Sequence, residues 1–168
     1  MSWWRFWERI TDPEPLKIWR EPVVNESGIR LIKASEGYSA TPYMCQANVW
    51  TIGFGSTVDK NYHSVTKNHP QIDLDYANDL FYRDIKVFSR SVLEDVKVLI
   101  NDNQLSALTS LAYNIGQGAF RASTLLRKLN RGDFDGCSNE FWRWRRANGE
   151  ISAGLVKRRK LERILFMS

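Results

Sequence analysis

The sequence predicts an α+β fold: a small β-rich lobe near the N-terminus, then a mainly helical body, with a crevice between them. Three observations lead there. Apolar residues recur at spacings of three and four through most of the chain after Asp73. That period disappears between Tyr38 and about Thr57, where VWTIGFGST combines aromatic and β-branched residues with glycines. Hydrophobic residues make up 43% of 168 positions, enough for a core that needs neither metal nor cross-links.

The elements follow in order. Residues 1–24 form a separate Trp-rich segment in which Trp3, Phe6, Trp7 and Ile10 fall at roughly helical spacing; Pro13, Pro15 and Pro22 interrupt it. Its rings suit docking on the protein's own core or a neighbouring subunit, or contact with a membrane surface. Residues 25–168 form the main domain. Asn25 or Ser27 caps a short helix ending at Gly37, with Ile29 and Ile32 inward. A hairpin or three-stranded sheet follows, then a polar loop over residues 58–70. A long helix starts near Asp73 and buries Leu74, Ala77, Leu80, Phe81, Ile85 and Phe88. A second carries Leu105, Leu108, Leu111, Ala112 and Ile115 and stops at Gly116. Leu125, Leu126 and Leu129 mark a short helix closed by Gly132. Phe134, Cys137, Phe141 and Trp144 mark another that stops near Gly149, and Leu161, Ile164 and Leu165 mark the last, from about Leu155.

The net charge of +5 is unevenly placed: Arg143, Arg145, Arg146, Lys157, Arg158, Arg159, Lys160 and Arg163 cluster near the C-terminus. Such a face attracts polyanions, or part of it is a solvated helix face. No helix-turn-helix or aromatic β platform accompanies it, so nucleic acid is not an expected partner. Cys45 and Cys137 lack CxxC spacing, and His63 and His69 fall in loop, so neither a metal nor a disulfide framework is expected. No run of about 20 apolar residues is present, and MSWWRFWERI does not read as a signal peptide.

The chemistry concentrates between Glu36 and Gly55. Glu36 ends the first helix beside a glycine, Cys45 follows nine positions later, and Thr51 six after that, opening TIGFG. A chain that leaves the helix and returns as a hairpin brings the three side chains together. The pattern E-G-Y-x(4)-Y-x-C-x(5)-T-I-G-F-G resembles the active-site signature of the phage-type lysozymes, glycoside hydrolase family 24. Ala112-Tyr113-Asn114-Ile115-Gly116, then Phe120 with Ser123 to Arg127, and finally Gly154 to Arg159 with Glu162, Leu165 and Phe166, resemble later parts of the same family. The similarity covers residues 25–168.

The resemblance implies a lysozyme-like fold and hydrolysis of the β-1,4 bond between N-acetylmuramic acid and N-acetylglucosamine in peptidoglycan, without cofactor or metal. Glu36 is then the general acid that protonates the leaving oxygen, and it must stay protonated at working pH. Arg158, or Arg159 beside it, is the partner that orients this acid; surface charge on the last helix is the alternative for both. Many members of the family carry Asp where Cys45 stands. Cys45 is therefore a base towards water, a nucleophile, or a small packing residue. Thr51 holds water beside the reacting carbon or is a β-branched strand residue. Gly55 lets the backbone approach a sugar, and Tyr113 lies on the opposite wall of the groove or in the core.

The expected setting is an endolysin made in the host cytoplasm, monomeric, and released to the wall. Its partners are glycan strands and, weakly, anionic membrane or outer-membrane material. Two other readings share the fold: a non-catalytic wall-binding module, and a virion-associated module plugged in by the Trp-rich segment.

Overall fold

The computed structural model describes residues 21–45 and 48–168; the first 20 residues, with most of the Trp-rich segment, lie outside the described residues. The chain runs through α1 (Glu26–Glu36), β1 (Ser39–Met44), β2 (Trp50–Gly53), α2 (Leu74–Asp95), α3 (Asp102–Ile115), α4 (Gln117–Ala122), α5 (Thr124–Leu129) and α6 (Phe134–Glu140). A 3-10 turn over Phe141–Trp144 leads to β3 (Arg146–Ala147), β4 (Glu150–Ile151) and α7 (Ala153–Met167). This is the predicted α+β arrangement.

Side chains fix where the helices begin. Asn25, rather than Ser27, caps α1 by accepting from the Gly28 amide, and Gly37 leaves the helix at φ 73°. Asp73 caps α2 through the Tyr76 amide. Asn101 and Gln104 form a reciprocal capping box at α3, and Gly116 ends it at φ 85°.

β1 and β2 pair antiparallel, Tyr43 opposite Thr51 and Met44 opposite Trp50, with an irregularity between Ser39 and Tyr43. Outside the β1–β2 pair the described residues of this lobe form only two isolated bridges, Ile52 to Ser56 and Val58 to Ser64, so it is a hairpin rather than a three-stranded sheet. Two clusters make the core. One, beneath the hairpin, gathers Ile32, Ile52, Phe54 and the first half of α2 from Ala77 to Ile85. The other packs α3 against Val92, Phe120, Leu125, Leu129, Phe141 and Phe166. The long α2 joins the two lobes because its apolar stripe serves both clusters in turn.

Four expectations need correcting. Leu74 is 52% exposed, because as the first residue of α2 it precedes the turn that meets the core. The stretch up to Gly149 is not all helix. Asn148 and Gly149, both at positive φ, turn β3 into β4, the preferred chemistry of a two-residue hairpin loop. α4 fills the segment after Gly116, which carried no helical reading. On α7, Leu161 and Ile164 face outward at 43% and 57% exposure. The face that enters the core instead carries Arg158, Arg159, Glu162 and Phe166.

Candidate active site

Glu36 occupies the last turn of α1, and its side chain is 19% exposed. Arg158 reaches it from α7 across 122 residues of sequence, its Nη1 donating to Glu36 Oε1 at 2.6 Å. Arg158 is only 4% exposed, and each of its three nitrogens has an oxygen partner. Nε donates to Glu162 Oε1 at 3.1 Å and Nη2 to the Ser110 carbonyl at 2.9 Å. A guanidinium held at three points has a fixed plane, so it presents one N–H to Glu36 in one direction. Arg159 is likewise buried, so neither arginine belongs to a solvated face of the last helix.

The other oxygen of Glu36 faces the turn after β2. A Cβ built on Gly55 would stand 3.6 Å from Glu36 Oε2 and 3.5 Å from Tyr113 Cε1, and Gly55 sits at φ 102°. The left-handed backbone favours glycine there, while a Cβ would come only into ordinary contact with the acid. Tyr113 donates from its hydroxyl to the Phe54 carbonyl at 2.9 Å and packs its ring on Phe81 and Phe88. It is thus a wall of the site that also edges the core. Burial pushes its phenol far above the ordinary tyrosine value.

The hairpin brings the third group. Cys45 follows β1 directly, its amide donating to the Val49 carbonyl at 3.0 Å, and it is half-buried. Tyr43, two residues earlier on the strand, has its phenol raised by burial and by the charges of Glu36 and Cys45, so these three groups share one neighbourhood. Thr51 is buried, and its hydroxyl donates to the Val49 carbonyl at 3.0 Å. That proton is committed to the backbone, which leaves the lone pairs of Oγ1 for any further partner.

On the other side of Glu36 a groove of about 740 Å³ runs between α1, the end of α3, β3 and α7. Asn114, Trp144, Arg146, Leu155 and Lys157 help to line it. A second hollow beside Glu36 is bounded by Tyr38, Tyr43 and Gly53. The acid therefore stands between two depressions, an arrangement that suits a polymer passing over it.

Glu36 lies beside Arg158, Gly55 and Tyr113, Tyr43 links Glu36 to Cys45, and the Thr51 hydroxyl turns to the Val49 carbonyl. Sequence reasoning missed four contributors: Tyr43, Ser110, the hairpin residue Arg146, and the buried charge of Glu162. Signals existed for two of them. Tyr43 shares a strand face with Cys45, and Glu162 lies four residues after Arg158 on one helix.

A carboxylic acid at the junction of an α+β domain, braced by a buried arginine and flanked by an open groove, defines the class as lysozyme-like. A family model described as phage lysozyme matches residues 33–162. The endolysin of Acyrthosiphon pisum secondary endosymbiont phage 1 is 40% identical over 149 residues, covering 86% of this chain and 98% of that protein. The endolysin of Bacillus phage B103 is 38% identical, but this chain spans only 54% of its length. Among solved structures, the endolysin of Escherichia coli O157:H7 phage FAHEc1 superposes with a TM-score of 0.77 at 27% identity, covering 89% of this chain and 96% of that one. The chain belongs to the phage lysozyme family and is a glycoside hydrolase of the endolysin type.

Proposed function

We propose that this chain cleaves the β-1,4 bond between N-acetylmuramic acid and N-acetylglucosamine in peptidoglycan, with Glu36 as general acid. The observation that carries the reading is the Arg158 Nη1 to Glu36 Oε1 contact at 2.6 Å. It occupies one carboxyl oxygen and turns Oε2 towards Gly55 and the open hollow, where a glycosidic oxygen would meet it. Breaking this bond needs a proton on the leaving oxygen as an oxocarbenium-like state develops, and Oε2 is the atom that supplies it.

Cys45 and Thr51 supply the other half of the reaction. In one route Cys45 takes the proton from a water that Thr51 Oγ1 helps to hold, and the anomeric centre inverts. In the other the Cys45 thiolate attacks that centre, and water later releases the retained product. Gly55 lets the sugar approach, and Tyr113 walls the groove. The exposed cations Arg146 and Lys157 line the groove and lend it a positive field that favours anionic wall material, so cleavage is expected to weaken as salt rises. The same field gives the protein its weak contact with anionic membrane or outer-membrane material. We place its action, as a monomer, at the cell wall after synthesis in the host cytoplasm.

The test is release of soluble fragments from purified peptidoglycan by the wild type, with Glu36→Gln and Cys45→Ala beside it. Loss in both variants supports an acid and a thiol acting together, and anomeric analysis of the products then separates the two routes. Loss in Glu36→Gln alone makes Cys45 a packing residue. Full activity in Glu36→Gln overturns the reading.

A further inference from the structure

A carboxyl oriented by one arginine N–H is only as well placed as the arginine itself. The way Arg158 is held shows what places it. Glu162, on the same helix, is completely buried. Its Oε1 accepts from Arg158 Nε at 3.1 Å, from Arg159 Nη2 at 2.8 Å and from the Ser110 hydroxyl at 2.6 Å. Its Oε2 lies 2.8 Å from Arg159 Nε, close enough for attraction but outside hydrogen-bond geometry.

We propose that Glu162 is a positioning residue for the hydrolytic reaction: its buried carboxylate fixes the guanidinium of Arg158, so that Nη1 meets Glu36 Oε1 in one direction. This rests on the reading of Glu36 as the acid.

Other charged and titratable groups surround the pair. Tyr43 and Cys45 approach from the hairpin, and Asp84 and Tyr113 approach from α2 and α3. Arg146 and Lys157 face the groove, and Arg159 lies beneath Arg158. Among the described residues, Glu162 is the one carboxylate besides Glu36 that bonds Arg158 directly. Burial raises the Glu162 carboxyl, while Arg159, Arg158 and the Ser110 hydroxyl pull it back. Burial likewise lowers Arg159 to about 10, which leaves it charged at neutral pH. Two buried cations and one buried anion thus stand behind Glu36. Removing the anion takes away the anchor of Arg158 Nε.

A buried ion pair of purely structural value would be replaceable by apolar residues of similar volume without functional cost. The positioning role predicts otherwise, and the split between kcat and KM for peptidoglycan hydrolysis reads the difference. In Glu162→Gln, which cannot hold Arg158 by charge, kcat is expected to fall about tenfold with KM little changed. Glu162→Asp, which keeps the charge, is expected to restore most of the wild-type kcat. Should Glu162→Gln fail to fold, the double variant Arg159→Met with Glu162→Met supplies an apolar pair. It is expected to fold and to lose about tenfold in kcat with KM retained, because Arg158 has lost its Nε anchor.

Wild-type kcat in a folded Glu162→Gln, or in the double variant, overturns the proposal. Hydrolysis that survives Glu36→Gln would instead overturn the acid assignment on which it rests.

Discussion

Replacing Tyr113 by Phe deletes one oxygen and leaves the ring in place against Phe81 and Phe88. The lost atom donates to the Phe54 carbonyl at 2.9 Å, tying α3 to the turn that carries Gly55 beside Glu36. Phe54 is buried, so its carbonyl is left in a poorly hydrated place when the donor goes. Losing a hydrogen bond of this kind and stranding its acceptor costs about 1–3 kcal/mol. For a domain of this size that is a fall in Tm of roughly 2–10 °C. Since burial holds the phenol protonated well beyond the ordinary tyrosine range, the difference should persist at mildly alkaline pH. Urea unfolding followed by tryptophan fluorescence measures the stability term, and fragment release measures the accompanying loss of activity, expected to be severalfold. A Tyr113→Phe protein with wild-type unfolding free energy would refute the reasoning, because the hydroxyl would then contribute nothing to joining the lobes.

Two further outcomes follow from other parts of the fold. Gly28 lies where α1 crosses α3, and a Cβ there would stand 2.5 Å from the Cβ of Ser106. Gly28→Ala is therefore expected to destabilise the protein by about 1–3 kcal/mol despite the better helix former, and a urea titration reads it. Glu140 accepts from Lys128 at 2.8 Å, which with Arg143 nearby holds its carboxyl below the usual carboxylate range. A carboxyl lowered on folding contributes stability that is complete above its unfolded value of about 4.3 and fades as pH falls through the lower folded value. The stability gap between wild type and Glu140→Gln should thus be constant near neutrality and close below that pH; a gap that widens on acidification would contradict it.

Much of this was legible in the chain itself. Asn25, Asp73 and Asn101 mark helix starts, and Gly37 and Gly116 mark helix ends, because capping depends on residues a few positions apart. The spacing of Glu36, Cys45 and Thr51 is also local, and it places them at one helix end and along one hairpin. The Asn148-Gly149 hairpin was local as well, but the helical spacing of the aromatic residues before it obscured the signal.

The identity of the groups behind the acid was different. Read along α7, Leu161 and Ile164 look like the inward stripe and Arg158, Arg159 and Glu162 like a charged surface, yet the structure reverses them. Apolar pattern weighs each residue by its own transfer cost, and by that measure two arginines and a glutamate belong in water. Only the packed structure brings Ser110 from α3 and Glu36 from α1 to the same place, so that every charge meets a partner and burial becomes tolerable. The sequence by itself determined most of the helices, the first hairpin, the family and the candidate acid, because these rest on short-range chemistry and motif spacing. Tertiary structure alone decided which arginine holds that acid and that the Arg158–Glu162 pair is buried, because the contacts of Arg158 with Glu36 and Ser110 join residues 122 and 48 positions apart.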